Sequence, residues 1–134
     1  MKILLVYPEM PATYWSLRYV LPFIGKKALF PPLGLLTVAA MLPADYEVTL
    51  LDMNVDPLTR AAVAWADLVF TSSMIVQKES LERAIRLCNE LGIPVVAGGP
   101  YPTSCHDEIR GVDHFVLNEA ETTLPPFLHD LALG

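Results

Sequence analysis

The chain carries only two cysteines, Cys88 and Cys105, among 134 residues. Two are too few for a disulfide framework and too few to hold an iron–sulfur cluster. Cys88 falls on the face of a predicted helix that should point into the core. No bridge is therefore expected, and a reducing cytoplasm is the expected compartment. Basic residues are scarce as well. Nine Lys and Arg against 15 Asp and Glu leave a net charge of −6, with a pI of about 4.9. Without a basic run, nucleic acid and anionic membrane surfaces are not expected partners. No apolar run approaches the roughly 18 residues of a membrane span. The opening run, Met1 to Pro8, lacks a small-residue cleavage site and reads as a strand rather than a signal peptide. Neither Gly-x-x-x-x-Gly-Lys nor Gly-x-Gly-x-x-Gly occurs, so the two common phosphate-binding loops are missing.

What the chain has in quantity is apolar. It is 53% hydrophobic with a mean hydropathy of +0.41. Such a balance implies a sheet buried on both faces, a large ligand, or an adjoining domain. The length implies one domain over residues 1–134, large enough for its own core.

Five short runs rich in Val, Ile and Leu predict strands at Lys2–Tyr7, Glu47–Met53, Leu68–Ser72, Pro94–Gly98 and His114–Asn118. They do not alternate cleanly, the mark of a parallel sheet covered on both sides. Helices are predicted between them. Leu33–Leu42 is apolar almost all round and should be buried on more than one side. Pro57–Ala66 is Ala-rich, with Asp56 as a candidate cap. Lys78–Leu91 is a clear amphipath closed by Gly92. Shorter helices are expected over Thr103–Arg110 and Thr123–Leu131. Pro125 and Pro126 should occupy the first turn of the last one. The alternation predicts an α/β, doubly wound, Rossmann-like or flavodoxin-like sheet of five parallel strands in order 2-1-3-4-5, with helices on both faces. One feature exceeds a minimal fold. A long insertion, residues 8–32, separates the first strand from its helix and carries Tyr14, Trp15, Tyr19, Phe23 and Phe30. Ordinary βα loops take about 2–6 residues, so this one has a job, either covering a flat ligand or docking on another domain.

Ligands of such sheets bind beyond the carboxyl ends of the strands. The third strand exits through Ser72, Ser73 and Met74, small hydroxyl residues that allow close approach or simply cap the next helix. The fourth exits through Gly98, Gly99, Pro100 and Tyr101, where paired glycines bring backbone near a ligand or form a tight turn. The fifth exits through Asn118 and Glu119, suited to a helix start. Asp52 is placed to bind a ribose-like hydroxyl. His106, His114 and His129 show neither zinc spacing nor a triad, so no metal ligands and no catalytic residues are assigned. A phosphoacceptor receiver domain would need an Asp after the third strand and a Lys after the fifth, and both are missing. A flavodoxin would need a hydroxyl- and glycine-rich loop after the first strand, where Pro8-Glu9-Met10-Pro11 stands.

The stretches YPEMPATYWS, KKALFPPLGLLTVAAMLP, LLDMNVDPL, WADLVFTSSMIVQKES, VVAGGPYPTS and VLNEAETTLPPFL follow one another at the expected exits. Together they resemble the N-terminal cobalamin (vitamin B12)-binding domain of cobalamin-dependent radical S-adenosylmethionine (radical SAM) enzymes, nearest the hopanoid C-2 methylase-like group. The resemblance covers nearly the whole chain. Many cobalamin domains carry Asp-x-His-x-x-Gly before the first helix, the His lying under cobalt. With Gly34 at the motif's glycine, Pro31 stands at the His and Leu29 at the Asp. The resemblance therefore implies cobalamin bound base-off with no protein histidine. Phe30, Pro31, Pro32 and Leu33 would form an apolar platform below it. It also implies that Ser72, Ser73 and Met74 line the nucleotide pocket, that Gly98 and Gly99 let the tail pass, and that Asn118 and Glu119 stand at the mouth. Met74 replaces a Leu and Asn118 a Gly of the family pattern. The Cys-x-x-x-Cys-x-x-Cys motif is absent. The expectation is an excised domain whose parent methyltransferase, acting on an unactivated carbon, holds the 4Fe–4S iron–sulfur cluster and S-adenosylmethionine on a barrel outside this chain. Two other readings of the residues stay open: a cobalamin-free interaction module of the same fold, and a flavodoxin-like nucleotide binder using Asp52 and Glu119.

Overall fold

The structure is a computed structural model that describes residues 1–13, 17, 19–28 and 30–134. Tyr14, Trp15 and Leu29, singled out above, lie outside the described residues. Five parallel strands, β1 (Lys2–Tyr7), β2 (Glu47–Asp52), β3 (Leu68–Ser72), β4 (Val95–Gly98) and β5 (His114–Val116), form one sheet in the order β2-β1-β3-β4-β5. The doubly wound α/β expectation holds. Each strand is followed by an α-helix: α1 (Leu33–Met41), α2 (Arg60–Trp65), α3 (Lys78–Leu91), α4 (Pro100–Cys105) and α5 (Ala120–Leu133).

Side chains of a strand point alternately to the two faces, so each inner strand feeds two cores. On one face Ile3, Leu5, Leu68, Phe70 and Val96 pack with Leu35 of α1 and Leu124 of α5. On the other, Leu4, Val6, Val69 and Val95 pack with Val63 of α2, Leu81 and Ile85 of α3, and Tyr101 of α4. Burial on both faces is what Ile3–Val6 and Val95–Ala97 predicted. The edge strand departs from it: Glu47, Val48, Thr49 and Leu50 of β2 are exposed, because a strand at the rim has helices over only part of its length.

Element boundaries shift where local hydrogen bonds compete. Thr59, not Asp56, caps α2, its hydroxyl accepting from the Ala62 N–H at 3.2 Å. The Asp56 N–H is taken by the Asp52 carbonyl in a turn. β5 stops at Val116 because Asn118 adopts φ +64°, and its N–H bonds the Thr103 hydroxyl at 2.9 Å. α4 starts at Pro100, three residues before the expected Thr103, and gives way to a 3-10 turn at His106–Glu108. Proline suits that start, since its fixed φ is helical and its missing N–H has no partner there. α5 opens at Ala120 rather than Thr123, so Pro125 and Pro126 sit beyond the first turn. The N–H and hydroxyl groups of Thr122 and Thr123 all converge on the Glu119 carbonyl and close that turn ahead of the prolines.

α1 also departs from expectation. Of its nine residues only Leu35 is fully buried, while Leu33 is 67% exposed and Leu36 is exposed beside it. Its outer face is apolar and open. Both cysteines are free thiols, Cys88 buried and Cys105 partly so. Among the described residues, no helix is long and apolar enough to cross a membrane.

Candidate functional site

The β1–β3 ladder ends at Val6 and Thr71. β1 continues against β2 to the pair Tyr7–Asp52, and β3 continues against β4 to Ser72–Gly98. Beyond Val6 and Thr71 the two central strands therefore part. This is the topological switch point, where the connections leave to opposite faces.

Beside it, on the α1/α5 face, a cleft of about 200 Å³ opens between the two helices over the carboxyl ends of β3, β4 and β5. Its floor is apolar: Phe70, Val96, Val116 and Leu124, with Leu35 and Val38 as the α1 wall. Its rim is polar: Thr37, Ser72, Asn118, Glu119 and Glu121. Gly34 stands opposite Ser72, and a β-carbon there would lie 3.7 Å from the Ser72 hydroxyl. The cleft brings together Gly34, Ser72, Gly98, Gly99, Asn118 and Glu119 of the residues singled out from sequence. Thr37, the one polar residue of α1, joins them at the rim, and its isolation in an otherwise apolar helix is the sequence signal that marks it.

The other singled-out residues lie elsewhere. Ser73 is 2% exposed, and its carbonyl accepts from the Tyr101 N–H at 3.0 Å. Its hydroxyl, like that of the 4% exposed Thr71, has no hydrogen-bond partner among the described residues. Tyr101 is buried in the α2/α3 core. The Tyr101 phenol beside Lys78 raises the lysine's pKa, first by its charge and then by hydrogen bonding. Pro32 is buried, while Pro31 and Pro100 are exposed. Phe30 (69% exposed), Leu33 and Met74, with Ile75 and Val76, are apolar and open to solvent. All five flank the carboxyl edge, since α1 begins and β3 ends there.

The fold itself demands glycine at 98 and 99. A β-carbon on Gly98 would lie 2.8 Å from the Val116 carbonyl oxygen. Gly99 has φ +90°, and a β-carbon there would lie 2.5 Å from the Ser72 hydroxyl and 3.0 Å from the Ser73 nitrogen. Asp52 is also engaged: one carboxylate oxygen accepts from the Asn54 backbone at 2.8 Å and from the Asn54 amide at 2.7 Å. None of the three histidines stands at the exits of β1 or β3. His106 packs on Phe115, and His114 on Phe127. No group of three His, Cys, Asp or Glu among the described residues could hold a metal ion.

A family model for the B12 binding domain matches residues 27–128. The chain belongs to the B12-binding domain family. Along its whole length this B12-binding domain is 43% identical to an uncharacterized methyltransferase of Synechocystis sp., covering 25% of that protein. Over 119 residues, 88% of the chain, it is 33% identical to the hopanoid C-2 methylase of Rhodopseudomonas palustris, covering 23% of it. The chain thus spans about a quarter of the length of these relatives.

The chemistry of the cleft is compatible with the base end of cobalamin's nucleotide tail. Its apolar floor suits a bicyclic aromatic base, and Ser72 and Thr37 offer hydroxyls at the rim. Gly34, bare opposite Ser72, keeps the mouth clear. The Glu119 and Glu121 carboxylates suit hydroxyl and amide donors rather than a phosphate. The corrin ring brings its own nitrogen ligands for cobalt, so a protein metal cluster is not needed.

Proposed function

We propose that this B12-binding domain holds cobalamin base-off, with the nucleotide tail between α1 and α5 and no histidine below the metal. The observation that carries this reading is the cleft, apolar below and polar at its rim, in the segment that the family model matches. In this reading Ser72, Gly98, Gly99, Asn118 and Glu119 surround the tail. The exposed Phe30, Leu33 and Met74, with Pro31 and the buried Pro32, present an apolar edge to the ring and exclude water from its lower face. Ser73, Pro100 and Tyr101 support the site from beneath. Pro31 stands where many cobalamin domains have their histidine, so the lower face receives no nitrogen from this segment.

The domain serves as one part of a larger radical SAM methyltransferase, in keeping with the greater length of its methyltransferase and methylase relatives. Bound cobalamin supplies a methyl carrier. The iron–sulfur cluster, S-adenosylmethionine and the acceptor carbon belong to the remainder of that parent. The domain's own contribution is to bind, orient and keep dry.

Titration of hydroxocobalamin into the purified chain, followed by desalting and a visible spectrum, tests this. Retained corrinoid with a base-off spectrum after reduction to the cob(II) state is expected. Retention with a nitrogen-ligated spectrum would overturn the assignment of Pro31. No retention by a folded sample would overturn cobalamin binding by this chain.

A further inference from the structure

The parting of β1 and β3 leaves a gap at the centre of the carboxyl edge, with no backbone ladder across it. The Gln77 side chain spans the gap. Gln77 has 0% exposure and sits in the 3-10 turn Ile75–Gln77 that leads into α3. Its amide nitrogen donates to the Pro8 carbonyl, just past the end of β1. Its amide oxygen accepts from the Met74 N–H at 2.9 Å, just past the end of β3. The half-buried Tyr7 phenol lies nearby; burial raises its pKa, and the Gln77 amide lowers it again. A primary amide has two N–H donors and one oxygen. One N–H is spent on the β1 exit and the oxygen on the β3 exit.

The neighbouring side-chain bonds reinforce the β1 side. Asn54 accepts from the Met10 N–H at 2.8 Å and donates to the Pro8 carbonyl at 3.3 Å. Ser80 accepts from the Glu9 N–H at 2.7 Å. These fasten residues 8–10 to β2 and α3. Gln77 joins that fastened segment to Met74 and so to the Ser72–Ser73 exit.

We propose that Gln77 is the positioning residue of the cofactor crevice, a strut across the switch point that sets the separation of the β1 and β3 exits. The inference rests on the cobalamin reading above. A crevice whose walls end two different strands keeps its width only if something other than the ladder holds them, and a buried amide bonded at both ends is rigid enough to do so.

The test compares the chain with its Gln77→Glu and Val63→Ala variants. Glu has the shape of Gln, but its carboxylate accepts from Met74 and cannot donate to Pro8. Val63 lies fully buried in the α2/α3 core, so its truncation lowers stability without touching either exit. Each protein is loaded with hydroxocobalamin and freed of excess. Release is followed at a temperature where circular dichroism shows all three folded. Gln77→Glu is expected to release corrinoid about tenfold faster, the scale of losing a supporting contact, while Val63→Ala releases it as the parent chain does. Equal release by Gln77→Glu and the parent chain overturns the strut. Equal acceleration by both variants also overturns it, since general stability then explains the effect. No retention by the parent chain overturns the cobalamin reading itself and this inference with it.

Discussion

Single residues show how closely the site is tied to the fold. Gly99 combines a left-handed φ with no room for a β-carbon. Gly99→Ala should lower stability by at least about 2 kcal/mol, from backbone strain and overpacking together, read as a lower urea midpoint. Ser72 and Ser73 look alike in sequence, yet strand alternation sends Ser72 to the cleft with Phe70 and turns Ser73 beneath α4. That split was legible from the period of two. Gln77 was not, because a lone glutamine before an amphipathic helix forms no motif until its partners are known. Cys88 makes a chemical prediction. Burial pushes its thiol from 9.0 up to about 11, with the nearby Asp113 charge adding to the rise. The unfolded chain loses this proton first, so the thiol's contribution to stability is intact below pH 9 and falls as pH rises toward about 11. At pH 8 a thiol reagent should label Cys105 in the folded protein and Cys88 only after denaturant is added.

At the scale of elements, type was easier to read than boundary. Val- and Ile-rich runs mark strands because a doubly covered sheet leaves no polar face to interrupt them. Their ends are set by one or two hydrogen bonds that composition does not reveal, such as Asn118 to Thr103. α5 shows the consequence most plainly. Pro125 and Pro126 are exposed and lie beyond its first turn, so the carbonyls of Glu121 and Thr122 lack their helical donors. Pro125→Ala or Pro126→Ala should stabilise the chain by about 1–3 kcal/mol, seen as a higher melting temperature. The cleft wall formed by α5 begins ahead of both prolines, so corrinoid retention should be unchanged.

For the whole molecule, the doubly wound order was legible because right-handed crossovers leave few arrangements once five strands and their helices are placed. The excess hydropathy found its place as surface: Leu33 and Leu36 on α1, with Tyr19, Phe23, Ile24 and Phe30 before it. Exposed apolar area of this kind drives association. The isolated chain should sediment as a concentration-dependent mixture. The Leu33→Lys, Leu36→Lys double variant should move it toward the monomer and change stability by no more than about 0.5 kcal/mol per site.

α5 starts at the mouth of the cleft and runs to Leu133. Its 14 residues carry the chain about 21 Å down to the opposite rim of the sheet. Any polypeptide attached after Gly134 therefore departs from the far side. To meet a ligand in the cleft it must climb back over the same distance, which takes a tether of at least about six extended residues.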